Sequence, residues 1–159
     1  MRPSGILVIV LSFFIALGIA IVPLPDWAIH LRPEAVTMVL IYWCLAIPDR
    51  VGVGVGWLVG LFVDVAKGAI LGQYALSFTV VAWLSLKLHQ RIRVFPPWQQ
   101  ALSILILVGL SQIIVLWVKG IIGQSPQNWV YWLPTLTSCI LWPWFFPLMR
   151  RVRHYYKVN

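Results

Sequence analysis

Long apolar runs alternate with short polar breaks along the whole chain. Six runs stand out, at about residues 5–22, 33–48, 51–66, 69–87, 100–119 and 129–149. A helix that crosses a bilayer core needs about 20 residues, within a range of about 17–25. The first, fourth, fifth and sixth runs meet that length. The second and third have shorter strictly apolar cores, Ala35–Ile47 and Val51–Ala66. Trp27-Ala28-Ile29 and Trp43 extend the second toward the interfaces, and a short helix can thin the bilayer around it. Two full spans are the preferred reading of this stretch, and a re-entrant pair, leaving four spans, is the alternative. Runs of this length predict α-helices, because a helix satisfies its own backbone groups in lipid. Arg2 precedes the first run, and Pro23-Leu24-Pro25-Asp26-Trp27 follows it without a small-x-small cleavage pattern. The expectation is an uncleaved first span.

Composition fixes the solvent. Of 159 residues, 61% are hydrophobic and 10% charged, and mean hydropathy is +0.90. A soluble domain is about half apolar and about a quarter charged. So few charges cannot clothe a water-soluble globule, and so apolar a chain is not disordered. The net charge of +8 is strongly basic. Its Lys and Arg residues sit in short clusters between apolar runs, which is a membrane-topology pattern rather than a nucleic-acid face. With six spans and the N-terminus inside, nine of the twelve basic residues are cytoplasmic, accompanied by Asp49 alone. Arg32, Lys67 and Lys119 fall outside, balanced by Asp26, Glu34 and Asp64. This positive-inside bias orients the chain with both termini cytoplasmic. Trp27, Trp98, Trp129, Tyr131, Trp132, Tyr155 and Tyr156 crowd the span ends, as interfacial aromatics do. The expected architecture is all-α and integral to the membrane, a compact six-helix bundle forming one polytopic domain over residues 1–159.

Two constellations interrupt the apolar pattern. Gly52, Gly56 and Gly60 recur every four residues, Asp64 continues the row, and Gly68 and Gly72 keep the spacing beyond a break. A four-residue step returns to nearly the same helix face. Small residues on one face let another helix approach closely, a main source of contact energy in lipid. The visitor is either a neighbouring helix of this chain or a partner's transmembrane helix. Asp64 is the one acid inside an apolar run, so it is a functional candidate by position. Its other reading is a helix-end residue bonded to the turn before the fourth run, with Lys67 as a local ion partner.

Other candidates are weaker. Arg32-Pro33-Glu34 suits a helix start, although Arg32 could meet a periplasmic partner. A basic cytoplasmic rim comprises Arg91, Arg93, Arg150, Arg151 and Arg153. Near the C-terminus it anchors on anionic lipid, at about 1 kcal/mol per basic residue, or contacts a cytoplasmic protein. Cys44 and Cys139 lie within apolar runs and read as small packing residues. His30, His89 and His154 are scattered, with no metal-ligand spacing. Neither a phosphate-cradling glycine loop nor a nucleophile elbow occurs. No metal, cofactor or catalytic set is expected. Gln73, Ser77, Ser111 and Gln112 are the polar groups that a small-molecule pocket in the bundle would use.

Several strings, in order, carry a resemblance. They are Arg32-Pro33, Tyr42-Trp43-Cys44-Leu45-Ala46-Ile47-Pro48-Asp49-Arg50, the row from Gly52 through Gly56 and Gly60 to Asp64, and Gly68-x-x-Leu71-Gly72-x-x-Ala75-Leu76. Trp98-Gln99-Gln100-Ala101-Leu102, Leu141-Trp142-Pro143-Trp144 and Leu148-Met149-Arg150-x-Val152-Arg153 complete the set. The chain resembles the MreD family of Gram-negative rod shape-determining proteins over essentially its whole length. That resemblance implies a non-catalytic inner-membrane subunit of the cell-elongation machinery, which helps maintain rod shape. The implied partners are MreC, the actin-like filament protein MreB, the glycosyltransferase RodA and the elongation-specific class B penicillin-binding protein. It also implies a fold similar to the substrate-binding subunits of energy-coupling-factor vitamin transporters. From that fold comes the alternative of a small-molecule binding or transport subunit, and a homo-oligomer remains open.

Overall fold

A computed structural model describes residues 3–21, 35–47, 51–67, 72–121, 123 and 132–155. The described residues form six α-helices: α1 (Pro3–Ile21), α2 (Ala35–Ala46), α3 (Val53–Lys67), α4 (Gln73–Arg93), α5 (Pro97–Ile121) and α6 (Leu133–Tyr155). Arg32-Pro33-Glu34, Pro48-Asp49-Arg50, Asp26, His30 and Gly68 lie outside the described residues.

The helices do not stop where the apolar runs stop. α4 continues through Lys87 and Arg91 to Arg93, and the chain turns at Val94–Phe95 before Pro96-Pro97 opens α5. Proline at the first helical position suits a helix start, so the double proline sets this boundary. Arg150, Arg151, Arg153 and His154 belong to the last turns of α6. Arg153 and His154 occupy the final turn, where cations favour the helix dipole. Pro143 and Pro147 lie inside α6. A helix among other helices tolerates such residues because neighbours satisfy the freed backbone groups.

The bundle is arranged around α2. Every residue from Val36 to Leu45 is buried, on all sides of the helix. A helix that is apolar all round is an interior helix, and α2 touches α1, α4, α5 and α6. The α3–α4 hairpin is the most extensive pairing, followed by α4 on α5, α4 on α2 and α5 on α6. α1 leans mainly on α2. Trp43 Nε1 donates to Ser12 Oγ at 2.9 Å, and Ser12 Oγ donates to the Ile9 carbonyl at 2.6 Å, which pins α1 to this hub. Tyr42 packs edge-on to Trp43 and to Phe146, joining α2 to α6.

The outer faces are apolar as well. Phe14, Trp57, Phe62, Trp83, Ile106, Trp117, Ile140 and Trp144 all point away from the core and are exposed. Among the described residues one helix is long and apolar enough to cross a membrane, over Trp98–Ile121. Ile6–Ile19, Ala35–Ala46 and Val53–Ala66 are shorter apolar helices.

Candidate functional site: the glycine seam, the basic rim and the flanking grooves

The glycine row faces α4. A Cβ built on Gly60 would lie 2.4 Å from the Ala75 Cα and 2.6 Å from its backbone nitrogen. One built on Gly56 would lie 2.9 Å from the Phe78 carbonyl oxygen and 3.0 Å from the Ala82 Cβ. Gly52 is looser, 3.7 Å from the Leu86 side chain. The sequence left the occupant of this face open; in the structure α4 fills it at Gly56 and Gly60, and a second helix cannot enter there.

Asp64 finishes the same seam. It is 0% exposed. Its Oδ2 accepts from the Gly72 N–H at 2.9 Å and the Ala75 N–H at 3.4 Å, and its Oδ1 from the Tyr74 N–H at 2.8 Å. These amides start α4, and the first N–H groups of a helix have no partner within it. A carboxylate on α3 thus caps α4 across the interface, and its charge complements the positive end of the α4 dipole. Gly72 makes the turn with φ +105°, a left-handed conformation that suits glycine. Gly60, Asp64 and Gly72 therefore act as one device: close approach, cap and turn. The Lys67 side chain lies outside the described residues.

A second polar device was not visible in the sequence. Gln100, near the start of α5, donates from Nε2 to the Ile92 carbonyl at 3.0 Å. Its Oε1 accepts from Trp142 Nε1 at 2.9 Å. One buried amide thereby ties α4, α5 and α6 together. Only the periodicity of α5 places Gln100, and nothing local announces a partner 42 residues away.

The four polar pocket candidates are all buried, but they line neither groove described below. Ser77 Oγ donates to the Ser111 carbonyl at 3.1 Å and lies 2.5 Å from Ser111 Oγ, joining α4 to α5. Among the described residues no three His, Cys, Asp or Glu side chains gather as metal ligands. The cysteines are free thiols: Cys44 is buried in α2, and Cys139 donates to the Ala101 carbonyl at 3.3 Å.

Arg91, Arg150, Arg151 and Arg153 collect at one end of the bundle. Gln100 joins the start of α5 to the end of α4, and Cys139 against Ala101 together with Thr135 beside Gly109 shows α6 running antiparallel to α5. α4 and α6 therefore finish on the same side, with Arg91, Arg150 and Arg151 exposed there. Arg153 is half-buried and lies near the Tyr42 side chain of α2. The Arg93 side chain lies outside the described residues.

Two apolar grooves flank α1. One, of about 420 Å³, lies between α1 and α3, with Phe13, Phe14, Val55, Leu58 and Phe62 on its walls. The other, of about 620 Å³, lies between α1 and α6 over an α2 floor of Ala35 and Val39.

The family described as rod shape-determining protein MreD matches residues 1–152. The rod shape-determining protein MreD of Haemophilus influenzae (strain ATCC 51907 / DSM 11121 / KW20 / Rd) is 32% identical over 151 residues, covering 94% of this chain and 93% of that protein. No solved structure matches the chain. Matched by the family over residues 1–152 and 32% identical to a curated relative across 94% of its length, this chain, whose described residues form six helices, belongs to the MreD family of rod shape-determining proteins.

Proposed function

We propose that the chain is a non-catalytic, multi-pass subunit of the bacterial inner membrane, and that it works in rod-shape maintenance by holding MreC beside the wall-synthesis machinery. Both termini are cytoplasmic, and the six helices form one polytopic domain. One observation carries the reading. The outside of the bundle is apolar, whereas Asp64, Gln100, Ser77 and Ser111 are bonded to other groups inside it. A bundle whose polar chemistry is turned inward interacts through its apolar faces.

The glycine row is filled by α4, so the MreC transmembrane helix needs another face. The groove between α1 and α3 suits it, because its walls are large apolar side chains from two helices. Helix-in-groove association of this kind rests on packing of apolar anchors. MreB, RodA and the class B penicillin-binding protein join through this assembly, with the basic rim facing the filament side. Small-molecule transport is the weaker reading, since its polar candidates line neither groove.

Photocrosslinking in cells tests the proposal. A photoreactive side chain at Phe14 or Phe62, on the groove walls, is expected to capture MreC. The same group at Ile106, exposed on α5, is expected to capture none. Capture from Ile106 alone, with rod shape intact, would refute the assigned face. Rod shape retained after the chain is depleted would refute the function.

A further inference from the structure

Among the described residues α1 carries the fewest ties to its neighbours, and it has open space on both sides. Its described polar tie to the bundle is the Trp43–Ser12 bond of 2.9 Å, and Ser12 is the middle residue of its 19. Ile6, Phe13 and Leu17 line the α1–α3 groove, whereas Leu7, Leu11 and Ile19 line the α1–α6 groove. The α2 floor is Val36 on the first side and Ala35 with Val39 on the second. Beyond the buried Ala16 the packing is loose: a Cβ built on Gly18 meets nothing within 4 Å. The surrounding helices are held more firmly. The glycine seam and Asp64 lock α3 to α4, and Gln100 joins α4, α5 and α6.

We infer that α1 rocks on the Ser12–Trp43 bond, and that a swing of its C-terminal half toward α6 widens the α1–α3 groove beside Leu17 and Phe62 for an incoming transmembrane helix. This inference rests on the groove assignment above. A helix segment about 18 Å long and about 10 Å wide occupies on the order of 1,400 Å³. The α1–α3 groove offers about 420 Å³, so a helix seats fully there only if α1 yields. The room for that lies on the other side. The α1–α6 groove follows α1 from Leu7 to Ile19, about 18 Å of helix about 10 Å wide. Spread over that strip, its volume of about 620 Å³ is a gap about 3 Å deep. From Ser12 to Ile21 the helix is an arm of about 13 Å, so 3 Å at its tip is a swing of about 13°. A tie at mid-helix permits this motion, because the bond stays near the pivot while the ends travel. Lipid fills what α1 vacates, and lipid tails are as apolar as the side chains they meet, so the swing meets little opposition. Small rotations and slides of packed helices are a common form of switching.

The test is double electron–electron resonance on the full chain in nanodiscs, with spin labels on introduced cysteines in a Cys139→Ala background and buried Cys44 left in place. Ile21 on α1, Val65 on α3 and Leu136 on α6 are exposed and line neither groove. In the chain alone, both distance distributions from Ile21 are expected to be broader than the Val65–Leu136 distribution, and Ser12→Ala is expected to broaden them further. A peptide of the MreC transmembrane helix is expected to shorten Ile21–Leu136 by about 3 Å and lengthen Ile21–Val65 by a similar amount, the gap worked out above. Val65–Leu136 should not move. Ile19→Trp fills the α1–α6 side and blocks the swing. It is expected to lower MreC capture from Phe62 about fivefold or more, although it lies outside the α1–α3 groove. Leu148→Trp makes the same block from α6 should the first variant fold poorly. Ile21 distributions as narrow as Val65–Leu136 would overturn the swing. So would full capture of MreC at Phe62 with no shift at Ile21, or in both blocked variants. Broad Ile21 distributions without any capture at Phe62 would uphold the swing and remove MreC as the helix that uses it.

Discussion

Replacing Gly60 by alanine adds a single methyl group to a helix, and in an open position that is mildly stabilising. At Gly60 the methyl carbon would stand 2.4 Å from Ala75 Cα and 2.6 Å from both the Ala75 nitrogen and the Tyr74 carbonyl oxygen. All three are backbone atoms, so no rotamer change relieves the overlap. Carbon atoms rest at about 3.5–4.0 Å, so α3 and α4 must part locally by about 1.1–1.6 Å. Overpacking of this kind costs about 1–3 kcal/mol. The same displacement stretches the bonds from the Gly72, Tyr74 and Ala75 amides to Asp64, one turn further along α3. A combined loss of about 3 kcal/mol follows, since charge-assisted bonds contribute about 1.5–3 kcal/mol. Unfolding in detergent micelles, by heat and by denaturing-detergent titration with circular dichroism as readout, measures it. For a chain of this size a midpoint lower by about 6–12 °C is expected. Gly54→Ala is the control on the same helix. Nothing lies within 4 Å of its built Cβ, so its midpoint should be unchanged or raised, by up to about 1 kcal/mol. Equal midpoints for the two variants would refute the steric account.

The remaining predictions concern the other polar devices. Asp64→Ala leaves the first amides of α4 without their acceptor and should cost about 2–3 kcal/mol, with faster hydrogen exchange at Tyr74 and Ala75. Asp64→Asn keeps one carbonyl acceptor, and its midpoint should fall between those of the unsubstituted chain and Asp64→Ala. Gly72→Ala forces a Cβ onto a residue at φ +105° and should lower the midpoint by the equivalent of about 1–3 kcal/mol. Gln100→Leu strands Trp142 Nε1 in the core and should cost about 1–3 kcal/mol, visible as a changed tryptophan emission spectrum together with a lower midpoint.

Much of this fold can be read from the apolar runs, because each run is long enough to commit to a helix. The ends of α4 and α6 cannot be read that way. Hydropathy falls at Lys87 and again at Arg150, yet neither segment carries a helix breaker, so the backbone continues to Arg93 and Tyr155. The glycine row is legible as a close-approach face. Its occupant is not, because spacing says how near a helix can come and nothing about which helix comes. Asp64 stands out as an acid among apolar residues, but its partners are backbone amides, which every stretch of chain offers alike. The Gln100–Trp142 bond has no signature at all, since the chain folds back through two helices to make it. α2 is the opposite case. Its 12 residues are about 18 Å of helix, short for a lone span, and its burial on every side explains why: protein, not lipid, surrounds it.

These devices are unevenly distributed, and that distribution bears on function. α3 and α4 are locked by glycine contacts and a buried carboxylate, and α4, α5 and α6 by Gln100 and the Ser77–Ser111 bond. α1 has none of this. It rests mainly on α2, with the Trp43–Ser12 bond as its described polar tie, and has a groove on each side. Substitutions on its exposed face therefore disturb few internal contacts, and Phe14→Ala should move the unfolding midpoint little. The same side chain lines the groove assigned to MreC. Loss of a buried interfacial aromatic is worth about 2 kcal/mol or more when it anchors a complex, roughly a thirtyfold weaker association. Phe14→Ala should therefore yield a normally folded bundle that recovers markedly less MreC in detergent pull-downs. A Phe14→Ala protein that unfolds early, or that retains MreC fully, would mean that α1 is a structural element and not the edge through which the bundle acts.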